Sequence, residues 1–184
     1  GSLDWRSAYV GAGVMAMLGG LLILPFRPGP LLGARPPFHP AQALEAWRNR
    51  GLRLANLGYL GHMWELYAMW AWIGVFLAGV LGRPQVGAWV FGVVAAGAAG
   101  CVLAGWAADR WNRAKVAAIC MLVSGACALL IGPASAWPTL GLGLAFLWGF
   151  TVVADSAQFS ACVVSLSPPD CVGRMQMVHR SLVF

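Results

Sequence analysis

The chain has 184 residues, of which 60% are hydrophobic and only 10% are charged. A soluble domain of this length would need a far more polar surface, so the composition indicates a polytopic helical membrane protein. The net charge of +6 would be compatible with binding to nucleic acid. However, no basic stripe with interleaved aromatic residues lies outside the flanks of the apolar stretches, so we expect no nucleic-acid partner.

The predicted elements are apolar stretches long enough to cross a bilayer core, which takes about 20 helical residues. In chain order they run roughly over 9–26, 55–81, 86–106, 115–131 and 139–166. A partial sixth stretch, 171–184, contains Arg174, His179 and Arg180 and is too polar for a lipid-facing helix. We therefore predict an all-α transmembrane bundle of about five spanning helices plus a truncated sixth.

These stretches divide the chain into three parts. We expect an external stub with the first transmembrane helix over 1–26, a cytoplasmic central loop over 27–54, and a half-bundle over 55–184. The loop is rich in Pro and Gly up to Pro40, which indicates a linker. A short amphipathic helix is predicted over 41–49, lying on the inner leaflet, with a solvated linker helix as the alternative.

The basic residues predict the orientation in the membrane. If the first stretch runs from outside to inside, 10 of the 12 Lys and Arg residues fall on the cytoplasmic side, and only Arg6 and Arg83 fall outside. This bias is typical of cytoplasmic loops in membrane proteins. We expect a multi-pass protein of the inner (plasma) membrane, with the lipid bilayer as its surroundings.

The third stretch carries small residues at helical spacing, which lets helix backbones approach closely where lipid gives no hydrophobic drive. Its glycines include Gly92, Gly97, Gly100 and Gly105. We predict a close helix contact along this stretch. The deeper tryptophans are expected in the core, with stacking on a substrate as the alternative; they are Trp64, Trp70, Trp72 and Trp148.

Polar and ionisable residues occur inside two of the stretches, where a charge costs about 3 kcal/mol or more unless it faces protein or water. Glu65 and Asp155 both lie about 15 Å from the inner ends of their predicted spans, near the midplane. His62 lies one turn before Glu65 and Gln158 one turn after Asp155, each on the same face as its partner, and Tyr59 extends the first stripe. We predict that the five line a substrate or proton path, with interhelical hydrogen bonding as the alternative.

No catalytic group, metal site or cofactor is predicted. The five cysteines are scattered, without a CxxC or a Cys/His cluster, and are expected to be small core residues. His62 and Glu65 have the i, i+3 spacing that can ligate a metal in a bundle, but a second such pair is absent.

Residues 105–113, between the third and fourth stretches, form the most specific local motif. They resemble the loop signature of the major facilitator superfamily, roughly G-x-L-a-D-R-x-G-R-[KR]. The matching residues are Gly105, Asp109, Arg110 and Arg113. The departures are Ala107 for Leu, Asn112 for the second Gly, and a following basic residue displaced to Lys115. A tight loop with one Asp and two Arg residues can exchange ion pairs as helices tilt, so we expect a conformational switch.

The resemblance implies a fragment: the end of an amino-terminal half, the central loop and most of a carboxy-terminal half. It further implies a secondary active transporter, not an enzyme, which moves a small unknown solute by alternating access, with protons as a candidate coupling ion. The missing amino-terminal half would be needed for transport. Two alternatives stay open: a membrane-embedded enzyme using His62, Glu65 and Asp155, and an inactive half-bundle that scaffolds a partner.

Overall fold

A computed structural model describes residues 5–26, 44–82 and 86–182. Residues 1–4 of the predicted stub, 27–43 of the predicted central loop, and Arg83 lie outside this range, as do 183–184. The chain divides into two compact units, 1–38 and 39–184. Within the first unit the described part forms one helix, α1 (Trp5–Ile23).

The described part of the second unit consists of helices joined by short turns, without a strand. Its helices are α2 (Glu45–Arg48), α3 (Arg50–Leu81), α4 (Val86–Arg110), α5 (Arg113–Ala134), α6 (Pro138–Val152), α7 (Ser156–Leu166) and, after a 3₁₀ turn at Pro169–Cys171, α8 (Val172–Ser181). The described residues contain five segments long and apolar enough to cross a membrane, with α6 and α7 together forming the fifth. The prediction of an all-α membrane bundle is confirmed.

Helix α3 begins at Arg50, five residues before the predicted start. The side chain of Asn49 accepts hydrogen bonds from the backbone N–H groups of Gly51 (2.9 Å) and Leu52 (3.3 Å), which satisfies donors that a helix start leaves free. Hydropathy alone placed Arg50 and Arg53 in the loop because they are charged, but both lie in the first turn of the helix. With 32 residues, α3 is longer than a bilayer core requires.

The short helix α2 packs onto the bundle. Ala46 is buried in a cluster with Leu52, Val163 and Met175, while Leu44 is exposed. The predicted helix over 41–49 is therefore observed only as Glu45–Arg48, and residues 41–43 lie outside the described range. This packing connects α2 with α3, α7 and α8.

The predicted span 139–166 is interrupted between α6 and α7. The hydroxyl of Thr151 donates to the carbonyl oxygen of Leu147 at 2.8 Å, and the N–H of Ser156 donates to Val153 at 3.3 Å, in a turn rather than in continuous helix. A polar side chain that bonds to the backbone competes with the helical ladder and bends helices. Residues 153–155 contain no Gly or Pro, so the usual sequence signal for a break is missing.

Helices α4 and α6 cross closely, as the small residues of the third stretch predict. A Cβ atom at Gly97 would lie 3.0 Å from the carbonyl oxygen of Gly149, and one at Gly100 would overlap the carbonyl oxygen of Phe150. A Cβ at Gly105 would meet nothing within 4 Å. The contact therefore involves the middle of α4, and it holds α6 against the bundle close to the break that precedes α7.

Large apolar side chains cover the outside of the bundle, as they do where lipid is the solvent. Trp64 is 81% exposed and Trp72 is 68% exposed, and Trp70 is also exposed. The expectation that these three tryptophans pack in the core was wrong. Among the four deeper tryptophans only Trp148 is partly buried, and its indole N–H donates a hydrogen bond to the carboxyl group of Glu65.

Candidate functional site

Glu65 lies at the centre of α3 and is bound from two other helices. It is the sixteenth of the 32 residues in Arg50–Leu81. The indole Nε1–H of Trp148, on α6, donates to its Oε1 at 2.7 Å, and the hydroxyl of Ser124, on α5, lies 3.1 Å from its Oε2. The carboxyl group therefore joins three helices at mid-span.

Ser124 has a second acceptor within reach. Its Oγ lies 3.2 Å from the carbonyl oxygen of Met121, one turn earlier on α5. A serine hydroxyl has one hydrogen to donate and two lone pairs to accept with, so Ser124 can serve Glu65 or Met121 as donor but not both at once. This gives the Glu65 site two possible hydrogen-bond arrangements.

His62 and Asp155 form a second polar centre, between α3 and the break before α7. Nδ1 of His62 and Oδ1 of Asp155 lie 2.8 Å apart, and each side chain is 1% exposed. The contact has the distance of an ion pair but not the alignment of a hydrogen bond, and Nε2 of His62 has no hydrogen-bond partner in the described part of the chain. Asp155 also occupies the N-terminal end of α7, where the helix dipole favours a negative charge.

Tyr59 links this centre to a second histidine, on α8. Its ring lies 5.9 Å from that of His62 and 4.1 Å from that of His179, centroid to centroid. His179 is fully buried, and its Nδ1 lies 3.0 Å from Oδ1 of Asn56. Because the Asn56 amide donates to the carbonyl oxygen of Ala46 at 3.4 Å, its Oδ1 is the acceptor and the proton is assigned to Nδ1 of His179.

The five predicted path residues therefore separate into two places. His62, Asp155 and Tyr59 come together, and Gln158, one turn along α7 from Asp155, is buried as well. Glu65 contacts α5 and α6 instead. Tyr59, His62 and Glu65 thus lie on one stripe of α3 but contact different neighbours, because other helices pack against α3 on several sides.

The predicted switch loop is short and largely exposed. Helix α4 ends at Arg110 and α5 begins at Arg113, with Asn112 capping α5 by accepting from the N–H of Lys115 at 3.2 Å. Asp109 and Arg113 form an exposed ion pair at 3.5 Å. Arg110 lies over the ring of Trp106, 4.1 Å from its centroid. Gly105 lies one turn before Asp109 within α4.

The described residues contain no group of three or more His, Cys, Asp and Glu side chains placed to hold a metal ion. His62 and Asp155 are paired with each other, and Glu65 is bound to neutral donors on other helices. His62 and Glu65, although one turn apart on α3, therefore contact different partners.

Comparison with known proteins identifies the family. A family model described as Major Facilitator Superfamily matches residues 1–183. The chain belongs to the major facilitator superfamily. No curated protein and no solved structure matches the chain. Membership confirms the family suggested by the motif at 105–113 and makes the protein a multi-pass membrane protein of a transporter family.

In this major facilitator protein, sequence reasoning missed three of the residues that build the two polar centres. Ser124 is an ordinary small residue of a plain span, Trp148 was assigned to the core, and His179 was noted only as part of a polar terminal piece. The signal that could have found His179 was that an ionisable residue within a membrane protein generally faces protein. Nothing in the sequence indicates which helix approaches Glu65.

Proposed function

We propose that this protein is a secondary active transporter that moves a small solute across the inner membrane by alternating access, with proton binding at Glu65 coupled to that movement. The observation that carries the proposal is the setting of Glu65: a carboxyl group at mid-span, held between three helices by Trp148 and Ser124. Placing an ionisable group at that depth costs free energy, and such groups generally mark a substrate or ion pathway.

The two arrangements of Ser124 support a change in the protonation of Glu65. When Glu65 is charged, Ser124 donates to Oε2 and leaves the carbonyl oxygen of Met121. When Glu65 is protonated, the carboxyl group donates to Ser124, and Ser124 donates to Met121. In either state the hydrogen-bonding atoms of Glu65 and Ser124 that face each other are paired. The site can therefore hold Glu65 charged or protonated without a change in the helices.

His62 and Asp155 supply a second place where a proton can reside. Their contact at 2.8 Å is buried, and Nε2 of His62, which has no hydrogen-bond partner in the described part of the chain, can accept a proton. His179 lies on the other side of Tyr59, and its Nε2 also has no hydrogen-bond partner in the described part of the chain. We place His62, Asp155, Tyr59 and His179 on the proton path, with Gln158 as a polar neighbour on α7.

The loop between α4 and α5 fits the switch that alternating access requires. An exposed ion pair such as Asp109–Arg113 contributes only about 0–1 kcal/mol, so it breaks and re-forms at little cost as the helices tilt. Arg110 and Arg113 can then exchange partners at the end of α4. We assign this loop to the cytoplasmic side, where positive charge accumulates.

The transport cavity is expected to need a second half-bundle. Alternating access in transporters built from repeats involves movement of one bundle against another around a shared site. We therefore include an amino-terminal half of the same family among the partners of this chain, together with the bilayer and the solute.

The test is proton movement driven by solute. The chain, reconstituted in lipid vesicles with an amino-terminal half-bundle and an internal pH dye, is challenged with solutes of graded charge and polarity. We expect at least one solute to move protons, and Glu65→Gln and Asp155→Asn to abolish that movement. The matched control is Glu45→Gln, at an exposed position on α2, which should leave proton movement unchanged. Unchanged movement in both site variants would remove the proposed role of Glu65 and Asp155.

A further inference from the structure

A shallow, open groove runs beside Glu65, between α3 and α5. Its cavity volume is about 510 Å³, within the range of ligand pockets in proteins. The lining from α5 is apolar and includes Met121, Gly125 and Leu129. Glu65 is the polar group in this lining, and it lies at mid-span.

No cationic side chain pairs with the carboxyl group of Glu65 in the described part of the chain. Its two hydrogen-bond donors, Trp148 and Ser124, are neutral. His62, one turn away on the same helix, is paired with Asp155 instead. On α5 the group that contacts Glu65 is the hydroxyl of Ser124, which is neutral. A carboxylate can accept about four hydrogen bonds, so two donors leave room for a further contact.

We propose that this groove binds a lipophilic monovalent cation. The apolar walls would hold an apolar body, and the carboxylate of Glu65 would pair with the cationic centre, which removes the cost of an uncompensated charge at that depth. An anion would be repelled by Glu65, and a strongly hydrated solute would find no other polar group in the lining. This inference rests on the proposed function in that it gives the solute a chemical class.

The probe is tetraphenylphosphonium, whose binding to the purified full chain in neutral detergent is measured by equilibrium dialysis against protein-free micelles. We expect saturable binding that Glu65→Gln weakens by about tenfold or more, as loss of a charged contact does. Glu45→Gln, which removes a carboxyl group from an exposed position on α2, should bind the cation as the unmodified protein does.

A variant that fills the groove tests the location of the binding site independently of the charge of Glu65. A Cβ atom added at Gly125 or at Gly132 meets nothing within 4 Å, so both positions of α5 accept a side chain. Gly125→Leu fills the groove and should also weaken binding about tenfold. Gly132→Leu adds the same side chain on α5 outside the lining and should leave binding unchanged.

Tetraphenylborate, an anion of the same shape, separates recognition of charge from recognition of bulk. We expect it to bind at least tenfold more weakly than the cation. Equal binding of the two ions, or equal binding of the cation to the unmodified protein and to Glu65→Gln or Gly125→Leu, would overturn the proposal.

The binding experiment and the vesicle experiment test different claims, and a negative result in one does not imply a negative result in the other. Because cation binding requires no transport, normal binding without any solute-driven proton movement would contradict the proposed function and leave this site in place. Proton movement driven only by solutes that are not lipophilic cations, with no cation bound at Glu65, would contradict this site and leave the proposed function in place.

Discussion

At the scale of single residues, the sequence was informative wherever an ionisable side chain falls inside an apolar stretch. Glu65, His62 and Asp155 could be selected in this way because a charge in lipid is costly, and all three are held by polar partners. Their partners could not be predicted. Ser124 and Trp148 belong to other helices, and helical periodicity states which residues share a face but not which faces meet.

The two hydrogen-bond arrangements of Ser124 lead to a spectroscopic prediction. Infrared spectra of the protein in lipid, recorded as pH is lowered, should contain a carboxyl C=O band that is absent in Glu65→Gln. Ser124→Ala should shift the frequency of that band, because the protonated carboxyl group then loses its acceptor. Ser124→Thr keeps a hydroxyl and should restore the frequency. A spectrum that Glu65→Gln leaves unchanged at every pH would contradict the protonation of Glu65.

At the scale of helices, the number of spans could be predicted and their ends and interruptions could not. Length and hydropathy predicted the five apolar segments that the described residues contain. The start of α3 depends on one side chain, Asn49, that caps the helix ahead of two arginines. The break before α7 involves the Thr151 hydroxyl and the pairing of Asp155 with His62, and that pairing exists only in the folded bundle.

The crossing of α4 and α6 gives a prediction at this scale. Gly100→Ala would bring a methyl group into the carbonyl oxygen of Phe150, a backbone atom that cannot rotate away, so the helices must separate. We expect a loss of about 1–3 kcal/mol in the free energy of unfolding, seen as a lower thermal midpoint in detergent.

The matched control is Gly105→Ala on the same helix, where the added methyl group meets nothing within 4 Å. Its thermal midpoint should be equal to or slightly above that of the unmodified protein, because Ala is the better helix former by about 1 kcal/mol. Equal midpoints for the two variants would show that α4 and α6 do not approach as closely as described.

At the scale of the whole molecule, the family and the bundle support each other. The match to the major facilitator superfamily covers residues 1–183, and the motif that suggested it lies in the short loop between α4 and α5. The positions of Glu65, His62 and Asp155 have functional meaning only if α3 to α7 cross a bilayer. Their depth then follows from their places in the helices.

The most direct test of the central claim is therefore labelling of single cysteines in cells, in a version of the protein whose five native cysteines are replaced by Ala. Trp111 and Ser135 lie at opposite ends of α5, and both are exposed. A membrane-impermeant maleimide should label Ser135→Cys in intact cells and Trp111→Cys only after the membrane is opened. Equal labelling of both in intact cells, or the reverse pattern, would contradict the membrane-crossing arrangement on which the transport proposal depends.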